Sequence, residues 1–398
     1  MSSIVSARQI VVSGPDDSLS IGQAVLIAVN GDELIIKPGS YQENTIVIDK
    51  AIKILGNGYP IIDGQGRHSV IVVKADGVTI DGLEIINSGE SFTEDRAGIR
   101  LDRVKNCVIE NSRFDNNCFA VYLSKVGSCR VSNNVIISHG KSQTTSGNGI
   151  HLWNCRGITI QSNTIEGHRD GIYLEFARNC LIRNNIAVGN LRYGLHFMFS
   201  DSCVYQENTF TKNGAGVAVM YSNNVQMQAN QFAFNRGDAS YGLLLKDITE
   251  SQIRGNAFTN NTVGIYAENS SRSQIEGNLF KSNGWAVRLM ANCMETRFSH
   301  NRFIENSFDI ATNSRKNYND FANNYWSGYK GYDLDKDGVG DVPYRPVRLF
   351  AYVVEKYPFM LVLLRSPFVD LIDMAEKIAP VLSPHLLIDE KPMMRPPG

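Results

Sequence analysis

Short runs of alternating apolar and polar residues recur along the middle of the chain, each opened by a small residue: RAGIRLD, CFAVYLS, GNGIHLW, RDGIYLE, RYGLHFM, GAGVAVM, SYGLLLK, TVGIYAE and GWAVRLM. Strict alternation over so few residues is the pattern of a half-buried β-strand. The small residues Gly98, Ala120, Gly149, Gly171, Gly194, Gly216, Gly242, Gly264 and Ala286 lie 22, 29, 22, 23, 22, 26, 22 and 22 residues apart. A period this short, with one patterned strand per copy, predicts a solenoid, because no copy can bury its apolar face alone. The expected fold is all-β, a right-handed parallel β-helix with coils of about 22 residues.

Two further rows fix the register. Asn134, Asn163, Asn185, Asn208, Asn230, Asn256, Asn278 and Asn301 occupy one place in successive copies, with Ser112 ahead of them. Stacked asparagines at a sharp turn satisfy one another and the backbone, so they are assigned structure and no chemistry. The row Asn117, His139, His168, Asn190, Asn213, Asn235, Asn261, Asn283 and Asn306 behaves alike, which makes His139 and His168 turn residues.

Outside the repeat, Leu19 to Val29 has helical spacing and predicts a short N-terminal capping helix. Residues 354 to 378 predict a helical segment interrupted at Pro358 and Pro367, with Leu371, Ile372, Met374, Ala375 and Ile378 largely on one face. The expected organisation is a β-helix over 1–330 and a C-terminal extension over 331–398, made of an acidic loop, a helical segment and a Met/Pro tail.

Alternation also sorts side chains by face. Ile99/Leu101 and their equivalents point inward. The outward pairs include Tyr122/Ser124, His151/Trp153, Tyr173/Glu175, His196/Met198, Ala218/Met220 and Arg288/Met290. With coils about 4.8 Å apart, Met198 and Met220 become lateral neighbours, and His196 lies roughly 7 Å along the strand from Met198. Inserted loops at 138–147 and 234–241 border this column, and solenoid insertions gather on the working face.

Thioether sulfur prefers Cu(I) and imidazole accepts copper, so His196, Met198 and Met220 are the candidate copper ligands. The bland alternative is that the methionines pack beneath an inserted loop. His151, Trp153, Tyr173, Glu175 and Met290 are candidates for contacting a partner. Cys107 with Cys129, and Cys180 with Cys203, stack in neighbouring coils. Disulfides fit that spacing, but packed free thiols are the simpler expectation. Asp333, Asp335, Asp337 and Asp341, with Gly338, form a D-x-D-x-D-G-x-G-D loop suited to calcium, although Tyr344 stands where an EF-hand has its bidentate glutamate. The alternative there is carboxylates held by backbone amides and solvent. Met393 and Met394 close the chain, free to dock on the solenoid or on a partner.

Composition narrows the partners. The 39 basic and 40 acidic residues leave no bias toward nucleic acid. The longest apolar run, FMLVLL, is far shorter than a membrane-spanning helix. The opening MSSIVSARQIVV lacks the basic and apolar regions of a complete signal peptide.

GLHFMFS, VMYS, NYWSGY, DLDKDGVGDVPYRP, LLRSP and KPMMRP together resemble the NosD family, periplasmic maturation proteins of nitrous oxide reductase. The resemblance implies an exported, non-catalytic protein working with an ABC transporter, a permease and an ATPase, in copper-site assembly. It implies a copper chaperone lipoprotein as donor and the reductase as recipient. Two rivals remain on the same scaffold: a carbohydrate-active lyase, hydrolase or epimerase, and a structural binding module of the cell envelope. Glycoside hydrolysis needs paired carboxylates, and the outward Glu175 and Glu268 are expected four coils apart, roughly 19 Å.

Overall fold

The structure is a computed structural model that describes residues 8–15, 19–91, 93–290, 292–314, 318–364, 366–378 and 387–396. The chain divides into two compact units, Met1–Val204 and Tyr205–Gly398. Each is an all-β parallel solenoid, as the repeat predicts.

In the first unit each coil supplies three strands. Val108–Glu110 pairs in parallel with Arg130–Ser132, Arg113–Asp115 with Val135–Ile137, and Ala97–Asp102 with Phe119–Ser124. The last series, continued by Ile150–Trp153, Asp170–Glu175 and Tyr193–Met198, contains the alternating runs. Its register advances by one coil per strand, Ile99↔Val121↔Ile150↔Ile172↔Leu195. The small residue opening each run has a steric cause. A Cβ on Gly149 would meet the carbonyl oxygen of Gly171 at 2.6 Å, and one on Gly171 that of Gly194 at 2.6 Å.

The second unit repeats the plan, with Val217↔Leu243↔Ile265↔Val287↔Ile310 in register. Its core is an aromatic stack, Phe210, Phe232, Phe258, Phe280, Phe303 and Trp326, with successive centroids 5.5, 4.6, 4.9, 4.9 and 4.1 Å apart. Such pairs add about 0.5–1.5 kcal/mol each beyond the apolar area they bury.

The asparagine ladder forms in both units. Asn134 N–H donates to Asn163 Oδ1 at 3.0 Å and Asn163 N–H to Asn185 Oδ1 at 3.0 Å. In the second unit the chain of bonds runs from Asn208 to Asn324. The second row is mixed. His168 is fully buried and its N–H donates to Asn190 Oδ1 at 3.2 Å, whereas His139 is exposed and pairs with Asp115 at 2.9 Å. The inserted loop leaves the coil at His139 and takes its ring out of the row.

At the N-terminus the helix is Ile21–Ile27, started by a capping box in which Ser20 and Gln23 satisfy each other's backbone N–H groups. At the other end the helical segment begins earlier than its spacing suggests: a helix at Leu349–Lys356, a 3-10 turn at Pro358–Leu363 and a helix at Pro367–Ile378. Phe350, Ala351 and Val354 join Phe308 and Val369 in a small core, with Trp285 packed against it. Arg288 Nη2 reaches both carboxylate oxygens of Glu355, at 2.7 and 2.9 Å, and fastens the helix.

Candidate functional site

The strand register places the outward residues of the first unit in two columns. Arg100, Tyr122, His151, Tyr173 and His196 are successive partners, as are Asp102, Ser124, Trp153, Glu175 and Met198. Outward does not mean exposed. His151 and His196 are buried, at 9% and 5% exposure, so their reading as surface groups is corrected. The residues that lead into each strand fold over the column: Phe119 and Tyr193 set their rings 5.3 and 4.9 Å from His151 and His196. Within the column the rings of Tyr122, His151, Tyr173 and His196 touch in sequence, with centroids 4.7, 4.8 and 4.8 Å apart. Trp153, Tyr173, Glu175 and Met198 are half-buried.

The two imidazoles differ in their partners. His151 Nδ1 lies 3.0 Å from Asn148 Nδ2, and burial together with the nearby Arg169 pushes its pKa down to about 3. It is a neutral ring. His196 Nδ1 faces a carboxylate, 3.6 Å from Asp170 Oδ2, with Arg192 Nη2 at 3.4 Å. Asp170 is wholly buried, and burial alone would raise its carboxyl. Arg192 binds both of its oxygens, Nε to Oδ1 at 2.8 Å and Nη2 to Oδ2, and the Tyr193 N–H adds a donor at 3.3 Å. With His196 these donors hold Asp170 below its ordinary value.

A buried carboxylate beside Nδ1 favours the tautomer with its proton there. The Arg192 guanidinium, which can only donate, favours a lone pair there instead, so Nδ1 stands between two opposing demands, and His196 Nε2 is a buried atom with no hydrogen-bond partner among the described residues. A carboxylate behind an imidazole whose second nitrogen is open is the usual support of a metal-ligating histidine. Met198 follows two residues along the same face. Asp170, Arg192 and Tyr193 were absent from the sequence reading. The signal for them was an aspartate opening the run DGIYLE, where the equivalent residues of the neighbouring runs are Asn148 and Tyr193.

Met220 is in the second unit, half-buried, as the last residue of Ala215–Met220 and laterally paired with Lys246. Met290 is 8% exposed. The expectation that it contacts a partner is corrected, because its side chain is almost wholly covered. Met393 and Met394 are docked on the solenoid. Met393 N–H donates to Asn324 O and Met394 N–H to Gly338 O, and both side chains are half-buried.

In the acidic loop Asp333, Asp335 and Asp337 bring one carboxylate oxygen each within 4.8 Å of the others. Asp341 stands apart from that group, accepting from the Leu334 N–H at 2.6 Å. Gly338 N–H donates to Asp333 at 3.0 Å and Val339 N–H to Asp337 at 2.7 Å. Asp335 accepts from the Asp337 N–H, which lowers it, but repulsion by the Asp337 carboxylate leaves it above its ordinary value. All seven cysteines are free thiols, and only Cys118 is not buried. Among the described residues no helix is long and apolar enough to cross a membrane.

Residues 137–331 match the family described as "Periplasmic copper-binding protein (NosD)". A Pseudomonas aeruginosa protein named "Probable ABC transporter binding protein NosD" is 29% identical over 379 residues, covering 90% of this chain and 87% of the relative. A Stutzerimonas stutzeri protein of the same name is 27% identical, covering 90% and 86%. Among solved structures, the A-module of the Azotobacter vinelandii mannuronan C-5 epimerase AlgE6 superposes with a TM-score of 0.60 at 13% identity, over 80% of this chain and all of that one. A Yersinia enterocolitica family 28 exopolygalacturonase does so with a TM-score of 0.56 at 11% identity, over 82% and 79%. At such identities the superpositions show a shared fold and nothing of activity. By sequence the chain is NosD-like along nine-tenths of its length, as its motifs implied.

Proposed function

We propose that this chain is a non-catalytic periplasmic accessory protein that works with an ABC transporter, permease and ATPase together, in copper delivery to nitrous oxide reductase and assembly of its copper site. A copper chaperone lipoprotein is the donor in this reading. The observation that carries it is the bare, buried Nε2 of His196, backed by Asp170 and one step from the thioether of Met198. One imidazole with methionine sulfur makes a soft, incomplete ligand set, suited to Cu(I) that arrives and leaves. Met220, the third ligand expected from the sequence, belongs to the second unit and is varied together with Met198 in the test below.

A carbohydrate enzyme fits this face less well. The outward carboxylates Asp102 and Glu175 are three strand steps apart, about 14 Å, beyond the 5 to 10 Å or so of a glycosidase pair. Asp170, at the start of the strand that Glu175 ends, is engaged by Arg192. The apolar residues left in water by the C-terminal helices, Leu371, Met374 and Ile378 at 64, 57 and 74% exposure, are proposed as the transporter-docking stripe. The acidic loop is proposed as a calcium site, with Asp333, Asp335 and Asp337 as ligands.

The test is anaerobic Cu(I) binding in competition with a chromophoric chelator, comparing the intact protein with His196→Ala and Met198→Ala/Met220→Ala. Binding lost in both variants with the fold intact supports the assignment. Equal binding in all three removes His196 as a ligand. Turnover of a uronate polymer would overturn the non-catalytic reading.

A further inference from the structure

We propose that Trp153, Phe176 and Phe199, flanked by Arg156 and Arg178, form a docking shelf for an acidic segment of a partner protein that carries an apolar anchor. Phe176 and Phe199 each follow the last residue of a long strand, one coil apart. Their rings stack with centroids 5.3 Å apart and planes 9° from parallel, yet they are 47% and 41% exposed. Both backbones are left-handed, with φ of 53° and 50°.

That conformation is costly for a bulky L-residue and natural for asparagine. The same turn in neighbouring coils is held by Lys125 and Asn154, at φ of 56° and 53°. A phenylalanine here serves neither the turn nor the core. The left-handed turn belongs to the coils generally. What sets this pair apart is a stacked apolar surface kept in water where Lys125 and Asn154 stand in the coils before, and that points to use by something outside the chain.

The shelf is concave. Trp153, Phe176 and Phe199 line a surface pocket of about 460 Å³ together with Arg156 and Arg178. Arg178 touches the carboxylate of Asp201 at 3.8 Å, while Arg156 is exposed and has no carboxylate within ion-pair distance among the described residues. Lys125 Nζ lies 5.1 Å over the Trp153 ring. The wall is therefore apolar and the rim positive, and tryptophan and arginine are among the residues enriched in protein-binding hot spots. A negatively charged rim around an apolar knob is its complement.

A sugar is the poorer occupant. Pyranose rings lie on open aromatic faces, but the Phe176–Phe199 stack takes one face of each ring and Lys125 lies over Trp153, while the positive rim offers a sugar hydroxyl less than it offers a carboxylate. The shelf rests on the proposed function only for which protein docks there, since Phe199 adjoins the candidate ligand Met198.

The experiment is photocrosslinking in the cells that express the protein, with p-benzoylphenylalanine replacing Phe199, and sequencing of the crosslinked peptide. A discrete adduct through a peptide with carboxylates flanking an apolar residue, reduced about tenfold by Arg156→Glu/Arg178→Glu, is the expected result. No discrete adduct, an adduct indifferent to the charge reversal, or a crosslinked peptide without acidic residues each overturns the shelf. So does binding of purified full-length protein to oligogalacturonate or oligoalginate that Phe176→Asn/Phe199→Asn abolishes. Asparagine already holds this turn at Asn154, so that variant keeps the fold. If the adduct is the expected one but the protein is neither a transporter subunit nor a copper protein, the shelf stands and the proposed function fails.

Discussion

Asp170 Oδ2 lies 3.6 Å from His196 Nδ1, and the opposite ring nitrogen of that histidine has no hydrogen-bond partner among the described residues. A carboxylate in this position orients a metal-binding imidazole. Its loss typically costs ten- to a hundredfold in metal affinity. Asp170→Asn is expected to weaken Cu(I) binding by about that factor. Arg192→Gln, which breaks the ion pair but leaves the carboxylate on His196, should cost stability and keep most of the affinity. Chelator competition on the two variants, with denaturation curves alongside, separates the roles. Equal affinity in Asp170→Asn and the unmodified protein would refute the assignment.

Burial pushes the pKa of His168 down to about 4, from 6.5. An imidazole with a depressed folded pKa takes its proton first in the unfolded chain. The stability carried by the neutral ring is thus complete above about pH 6.5 and drains away as pH falls toward 4, by roughly 3 kcal/mol over that window. His168→Asn should flatten this acid limb. It should also add to stability, because Asn117 and Asn190 in the same row donate their side-chain amides to Ile85 O and Ile165 O, at 2.8 and 3.5 Å, while the His168 ring makes no hydrogen bond of ordinary geometry among the described residues and has only a contact with the Gly147 backbone. Urea unfolding at pH 7.5 and 4.5 measures the difference. An unchanged pH slope would mean that other groups control acid unfolding.

The solenoid was legible in the sequence because its cause is local and periodic. A Cβ that would strike the next coil forces a small residue at Gly149 and Gly171, and an amide that must meet the next amide forces Asn163 and Asn185. Burial of the outward column was not legible. Alternation fixes the direction of His196, but whether water reaches it depends on Arg192, just before the strand, and Tyr193, its first residue, positions that change identity from coil to coil. Asp170 was hidden for the same reason, and the burial of Met290 is equally invisible to the alternation.

Asp389 ends the asparagine ladder from outside the repeat. It is fully buried, and its Oδ2 accepts from Asn324 N at 3.1 Å, Asn324 Nδ2 at 3.0 Å and Trp326 Nε1 at 3.0 Å. Asp389→Ala strands these donors, at a cost of about 2–4 kcal/mol. Asp389→Asn keeps an acceptor oxygen, as every other rung does, and should cost less than half as much. Hydrogen exchange at Asn324 and Trp326 reads the local effect. Alanine no worse than asparagine would show that the tail, not the carboxylate, closes the ladder.

Repulsion among Asp333, Asp335 and Asp337 is relieved when a hard cation binds between them. Millimolar calcium should raise the melting temperature, magnesium should do so less because it demands stricter geometry, and Asp333→Ala should remove the calcium effect. Asp341→Ala should remove it only in part, since that carboxylate is spent on the Leu334 N–H. An identical melting curve with and without calcium would assign the loop to its backbone hydrogen bonds.

The C-terminal helix Pro367–Ile378 packs Val369 and Ile372 toward the small core around Phe308 and leaves Leu371, Met374 and Ile378 in water. Because these side chains support no buried contact, Leu371→Ser/Met374→Ser/Ile378→Ser should change stability by less than about 1 kcal/mol. If the stripe meets a transporter, the same triple variant should lose co-purification with the permease, while Cu(I) affinity at His196 is unchanged. Arg288→Ala offers the opposite test. It leaves Glu355, 9% exposed at its side chain, without its partner, loosens the helix that carries the stripe, and should weaken transporter association together with stability. If the triple variant still co-purifies, the transporter engages another surface. If it instead binds lipid vesicles less well than the unmodified protein, the stripe meets the membrane surface directly.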